Sequence, residues 1–131
     1  MSPDPASARA RGFAAAGALF AFTGVAAGAF GAHALRATLP PALLQAFETG
    51  VRYQLIHALA LLACGWAIDR FGSRAAETAG ALFVTGIVLF SGSLYALALT
   101  GRSAFGIVAP FGGLALLAGW LVLGIGFLRG G

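Results

Sequence analysis

The chain has 131 residues, of which 60% are hydrophobic and 9% charged, with a mean hydropathy of +0.92. Soluble domains carry about 25% charged residues, so this composition argues against a water-facing surface and fits a protein whose surroundings are lipid. The net charge of +4 comes from scattered arginines without a basic stripe or aromatic platform, which argues against a nucleic-acid partner.

Four segments without charged side chains follow one another along the chain. They are residues 12–32, 53–68, 78–101 and 103–128. A helix needs about 20 residues at about 1.5 Å each to cross about 30 Å of hydrocarbon. The second segment is short, but Arg52 can lie within the span and extend its guanidinium to the interface. The sequence therefore predicts an all-α, polytopic membrane protein with a bundle of four transmembrane helices.

The N-terminal residues differ in composition from the rest. We predict a flexible cytoplasmic tail over residues 1–11 and a single four-helix transmembrane domain over residues 12–131. An alternative is a cleaved signal peptide, because Arg9 and Arg11 precede the apolar run and an Ala-His-Ala sequence ends it. The run is longer than the usual 7–15 residues of a signal peptide, which favours an intact first helix.

The connection to the second span has an apolar stripe formed by Leu44, Phe47, Val51 and Leu55. This stripe predicts a short interfacial amphipathic helix between helices 1 and 2, which turns at Gly50 into the membrane. An unbroken helix over residues 41–68 is equally compatible with the pattern.

The fourth span contains a proline well inside its apolar run. We predict that the helix begins at Pro110, where a first-turn proline costs little, and that residues 103–109 are bent or interfacial. A longer, kinked helix is the alternative.

The distribution of arginines predicts which termini are cytoplasmic. With the N terminus inside, five arginines lie on the cytoplasmic side and three on the other. The first group is Arg9, Arg11, Arg70, Arg74 and Arg129, and the second is Arg36, Arg52 and Arg102. The positive-inside rule therefore favours cytoplasmic N and C termini.

Small residues recur at positions where membrane helices pack closely. The predicted packing positions are Gly24, Gly28 and Ala32 on the first helix, Gly92 on the third, and Gly112 and Gly113 on the fourth. Small residues at such spacing let helix backbones approach, and the serines of the Ser91-Gly92-Ser93 sequence can hydrogen-bond to carbonyl groups of another helix.

Most of the polar chemistry lies at the start of the second span. Glu48 and Arg52 are four residues apart, which predicts an ion pair that anchors the helix. Tyr53, Gln54 and His57 share another face of the helix. His57 is a candidate proton carrier, although a hydrogen bond to another helix is the favoured interpretation.

The two histidines raise the question of a cofactor. His33 ends the first helix, where it can bond to terminal carbonyls, and His57 lies deeper in the membrane. Haem or metal binding by this pair is a third and weaker hypothesis. No carboxylate lies inside a span, and no nucleophile, phosphate-binding or zinc motif appears, so we predict no enzyme activity, cofactor or metal.

Four segments of the sequence carry a resemblance to a known family. GAFGAH, followed by FETGVRYQLIHALALL, and later LFSGSLYALAL and APFGGLALLAGW resemble the YgdD-like family. Its members are small four-helix integral membrane proteins that form a domain-of-unknown-function family. The resemblance covers roughly residues 13–128, and it implies an intact first helix and a bacterial inner (plasma) membrane location. It also implies that the family motif includes His33, Glu48, Arg52, Tyr53, Gln54 and His57.

The resemblance supplies no reaction, so function is predicted from the residues. The leading hypothesis is a non-enzymatic membrane protein that acts by helix packing, as a homo-oligomer or with another membrane protein in the lipid bilayer. The alternative is a small transporter or channel whose polar path is lined by Arg52, Tyr53 and His57.

Overall fold

Four long helices account for nearly all of the chain in the computed structural model, which describes residue 2 and residues 4–131. They are α1 (Pro5–Leu35), α2 (Pro41–Phe71), α3 (Arg74–Thr100) and α4 (Ala104–Leu128). Each is long and apolar enough to cross a membrane, and the described residues contain no strand. The predicted all-α fold with four membrane-spanning helices is confirmed.

Helix α1 begins well before the predicted span. Pro5 occupies the first turn, and the Asp4 carboxylate accepts a hydrogen bond from the Ala6 amide at 3.4 Å. Arg9 then donates to Glu77 of α3, with 2.8 Å between Nε and Oε1. Residues 5–11, predicted as part of a flexible tail, are therefore helical. Residues 1 and 3 of that predicted tail lie outside the described residues.

Helix α2 is unbroken from Pro41 to Phe71. The predicted short interfacial helix is thus wrong as a separate element, and the alternative of one continuous helix is observed. Gly50 lies inside this helix, and the ring of Tyr95 packs so closely against it that a Cβ atom there would lie 2.8 Å from the Tyr95 Cε1 atom. The helix ends at Gly72, whose φ of 62° is left-handed.

Two helices depart from regular α geometry, and a third keeps it despite a proline. Residues Gly31–Leu35 at the end of α1 and Ile87–Ser91 in the middle of α3 form π-helical turns. Such turns open the backbone locally and are frequent at functional sites. Helix α4 continues through Pro110, so the predicted start at that residue is wrong. Prolines are tolerated in membrane helices because neighbouring groups satisfy the freed carbonyl.

The helices form an open, staggered layer. α1 packs on α2, α2 on α3, and α3 on α4, whereas the backbones of α1 and α4 hardly approach each other. In this arrangement alternate helices do not pack closely, which leaves one groove between α1 and α3 and another between α2 and α4. The α1/α3 groove has two wide parts, lined by Arg9, Phe13, Glu77 and Val84 at one end and by Phe20, Thr23, Val88 and Gly92 at the other. The α2/α4 groove is lined by Arg52, Tyr53, Ile56, His57, Gly113, Leu116, Leu117 and Trp120.

Small residues make the α1–α2 contact close, but at a different spacing from the predicted one. The buried small residues of α1 recur every seven positions, at Ala10, Gly17, Gly24 and Gly31. A seven-residue repeat keeps one seam on the partner helix through a left-handed crossing. The predicted four-residue ladder fails at its last member, since Ala32 is exposed.

Of the other predicted packing glycines, three lie against a neighbouring helix and one does not. A Cβ atom placed on Gly28 would lie 3.2 Å from Val51 Cγ1 of α2. Gly112 and Gly113 lie against Phe90 of α3. Gly92 has no atom within 4 Å of a built Cβ atom, and it opens into the α1/α3 groove instead.

Candidate functional site

Two of the four polar residues predicted to form a cluster on α2, Gln54 and His57, are buried and bond to different helices. Gln54 is 5% exposed, and its amide group makes hydrogen bonds to helices on both sides of α2. Its Nε2 atom donates to the carbonyl oxygen of Phe20 and to Thr23 Oγ1 of α1, each at 2.9 Å. Its Oε1 atom accepts a hydrogen bond from the Tyr95 hydroxyl of α3 at 2.7 Å. One side chain thus joins three helices.

The π-helical turn of α3 supplies a second connection. Ser91, at the end of that turn, is buried and donates its hydroxyl to the Gly50 carbonyl oxygen at 2.7 Å. Gly50 has no side chain, and this allows α3 to approach closely enough for the bond. The predicted role of the Ser-Gly-Ser sequence in bonding a neighbouring helix therefore applies to Ser91. Ser93 donates within its own helix, to Leu89.

His57 makes the connection to α4. Its Nδ1 atom lies 2.6 Å from the Tyr53 carbonyl oxygen, and its Nε2 atom lies 2.9 Å from Trp120 Nε1. An indole N–H only donates, so His57 Nε2 must accept and Nδ1 must carry the proton that is donated to Tyr53. The ring is therefore a neutral imidazole in one tautomer. The favoured interpretation of His57 as a helix-to-helix bond matches this geometry, with α4 as the partner.

Aromatic rings surround this bond. His57 and Trp120 both pack on Phe83 of α3, with ring centroids 5.5 Å and 5.1 Å from it. Tyr53 stacks near the histidine at 6.1 Å and also contacts Phe90 at 4.8 Å. Such pairs add about 0.5–1.5 kcal/mol each beyond the area that they bury.

We call Gly50, Gln54 and His57, together with their partners Thr23, Ser91, Tyr95 and Trp120, the polar hub. It ties α2 to each of the other three helices. In the described part of the chain, no buried side-chain nitrogen or oxygen lacks a hydrogen-bond partner. The hub is therefore internally satisfied, as a structural network in lipid must be.

The partners in the hub were not identified from sequence, apart from Ser91. Thr23, Tyr95 and Trp120 all lie in apolar spans. Thr23 belongs to none of the motifs quoted above, whereas Tyr95 and Trp120 lie in LFSGSLYALAL and APFGGLALLAGW, for which the sequence indicates no particular role of these two residues. The sequence feature that could have indicated these partners is that they are among the few side chains in those spans that can donate a hydrogen bond. Which of them meets Gln54 or His57 depends on helix rotation, which sequence alone does not give.

The remaining motif residues lie outside the hub. Glu48 approaches Arg36 at 4.0 Å, so the predicted Glu48–Arg52 ion pair does not form. His33 is exposed on the π-helical turn of α1. Both ring nitrogens of His57 are engaged, so ligation of haem or a metal would require the release of Trp120. Within the described residues, no cluster of three or more His, Cys, Asp or Glu side chains could hold a metal ion.

Arg52 is the exception among these polar residues. Its side chain is exposed at the end of the α2/α4 groove, a cleft of about 420 Å³. Over residue 2 and residues 4–131, its guanidinium has no carboxylate within 4.0 Å. Tyr53 and Trp120, which are 39% and 45% exposed, line the same cleft.

Comparison with known proteins reveals relatives along most of the chain. Residues 27–113 match the family described as "Protein of unknown function (DUF423)". The UPF0382 membrane protein YwdK of Bacillus subtilis is 44% identical over 108 residues, which are 82% of this chain and 88% of the relative. The UPF0382 inner membrane protein YgdD of Escherichia coli K12 is 40% identical over 112 residues, 86% of each chain. No solved structure gives a significant match.

Proposed function

Because this chain belongs to the DUF423 family of proteins of unknown function, we propose its role from its own geometry: it is a non-enzymatic inner-membrane protein that acts by packing its helices against a second copy or another membrane protein. Two findings support the absence of catalysis. The buried polar side-chain atoms of the hub all have hydrogen-bond partners within the described chain, and its histidine is held as a hydrogen-bonded neutral ring.

The observation that carries the proposal is the open layer of helices. Because α1 and α4 hardly approach each other, a single chain encloses no central pore; the α1/α3 groove is open beside Thr23 and Val88, while the Arg9–Glu77 ion pair crosses its other end. The two wide parts of that groove have volumes of about 450 and 410 Å³. Helix association in lipid depends on close van der Waals packing, which such a groove offers to an incoming helix.

Self-association is tested with two differently tagged copies that are co-expressed and purified together in mild detergent. We expect the second tag to be recovered with the first across a dilution series. Val88→Phe, in the α1/α3 groove, is expected to lower recovery by about tenfold, because overpacking costs about 1–3 kcal/mol. The matched control Val25→Phe changes a similarly exposed valine outside the groove and should have no effect. Monomers at every concentration would rule out the homo-oligomer and leave only a different membrane partner.

The proposal includes cytoplasmic N and C termini, supported by the arginine distribution and by the even number of spans. A C-terminal fluorescent protein that folds only in the cytoplasm should be bright. A C-terminal alkaline phosphatase, which is active only outside, should be inactive. The opposite pair of results would reverse the orientation.

The alternative of a small transporter or channel receives less support. Its candidate residues Arg52, Tyr53 and His57 do line one cleft, but the Trp120–His57 hydrogen bond crosses that cleft from α4 to α2. Proteoliposome flux that is lost in both Arg52→Ala and His57→Ala would favour this alternative over the packing role.

A further inference from the structure

The structure points to a second property, on the face opposite the proposed partner groove: we propose that the α2/α4 groove binds one anionic phospholipid, with its phosphate on Arg52 and one acyl chain along the groove. The site needs a ligand with two chemically different ends. Its walls below Arg52 are aliphatic and aromatic, formed by Ile56, Leu117 and Trp120.

The charged end is defined by Arg52. The nearest acid in sequence on the same helix, Glu48, is directed to Arg36, which leaves the Arg52 guanidinium without a carboxylate partner in the described chain. A guanidinium at the membrane edge binds a phosphate through two parallel hydrogen bonds, and this pairing is stronger than that of neutral groups. An anionic headgroup also compensates the charge more fully than a zwitterionic one.

The apolar end is defined by the depth of the groove. Gly113 and Trp120 are seven residues apart on α4, which corresponds to about 10 Å along the helix. One leaflet is about 15 Å thick, half of a hydrocarbon core of about 30 Å. Below that depth the Trp120–His57 hydrogen bond and Phe83 close the groove. A partner helix would need to run through the whole membrane, whereas the upper part of an acyl chain fits this length.

The absence of a side chain at Gly113 widens the α2/α4 groove. A Cβ atom built on it meets only the Phe90 ring, at 3.8 Å, which is ordinary contact. A larger side chain at this position would therefore leave the helix interface intact and extend into the groove. This makes Gly113→Leu a means of filling the site without disturbing the fold.

The test uses native mass spectrometry of the detergent-purified full chain with dioleoyl-phosphatidylglycerol, dioleoyl-phosphatidylcholine and soluble glycerol 3-phosphate. We expect one phosphatidylglycerol to be retained with about tenfold preference over phosphatidylcholine, and no retention of glycerol 3-phosphate alone. Arg52→Gln should remove the preference, a loss of about tenfold, since one charge-assisted hydrogen-bonded pair is lost. Gly113→Leu should reduce retention of both lipids.

Two matched variants separate this site from general membrane effects. Arg102→Gln removes the same charge at the same side of the membrane but outside the groove, and Gly124→Leu enlarges an open glycine of α4 elsewhere. Both should retain phosphatidylglycerol as the wild type does, and circular dichroism should show equal helix content in all variants. Equal retention of both lipids by the wild type, or equal effects of Arg52→Gln and Arg102→Gln, would overturn the proposal.

Discussion

Replacing Gly17 with leucine is expected to lower the free energy of unfolding by about 3 kcal/mol, at the upper end of overpacking effects. A Cβ atom at Gly17 would lie 2.7 Å from the Ala58 carbonyl oxygen and 3.1 Å from the Leu61 Cβ atom of α2. Neither atom is the end of a flexible side chain, so the two helices must separate. The seam between α1 and α2 would then lose contact along its length.

The comparison is with Gly12→Leu on the same helix, where no atom lies within 4 Å of a built Cβ atom. Unfolding of both variants in mixed micelles with increasing dodecyl sulfate, followed by circular dichroism, gives the difference. We expect Gly12→Leu to match or slightly exceed the wild type, because glycine disfavours helix relative to leucine. Equal stability of the two variants would show that α1 does not pack on α2 through the seven-residue seam.

Replacing Gln54 with leucine is expected to cost about 3–5 kcal/mol of stability. Three interhelical hydrogen bonds are lost, each worth about 0.6 kcal/mol in membrane proteins. The Tyr95 hydroxyl, part-buried in the hub, also loses its partner, and an unsatisfied buried donor costs about 1–3 kcal/mol. The control Gln45→Leu makes the same change at an exposed position of α2 and should have little effect.

A double-mutant cycle with Tyr95→Phe tests the reason for this cost. If Gln54 and Tyr95 stabilise the fold through their mutual bond, Tyr95→Phe should be less harmful in the Gln54→Leu background by about 1 kcal/mol. The same mixed-micelle titration measures all four proteins. Strictly additive losses would mean that the hydrogen bond contributes nothing, and Gln54 would then act by shape alone.

Some of the site was predictable. The motif around Arg52–His57 was identified from the few polar side chains in an apolar chain, and Gln54 and His57 do lie at the centre of the molecule. The absence of a Glu48–Arg52 ion pair was not predictable. Glu48 instead approaches Arg36, which lies twelve residues before Glu48 and on the other side of the turn that precedes α2. Nor were the π-helical turns predictable, since the sequence of Ile87–Ser91 is compatible with a regular helix.

Hydropathy determined the class of protein and the number of spans, because an apolar segment of about 20 residues has no stable place in water. It did not determine which helix faces meet. α1 and α4 are almost equally apolar on all sides, so in lipid their inward and outward faces look alike. Small residues on both faces offered several ladders of Gly and Ala, of which the structure uses Ala10, Gly17, Gly24 and Gly31. Only the packed helices decide that choice, because close van der Waals fit and interhelical hydrogen bonds replace the hydrophobic effect as the force between helices in a membrane.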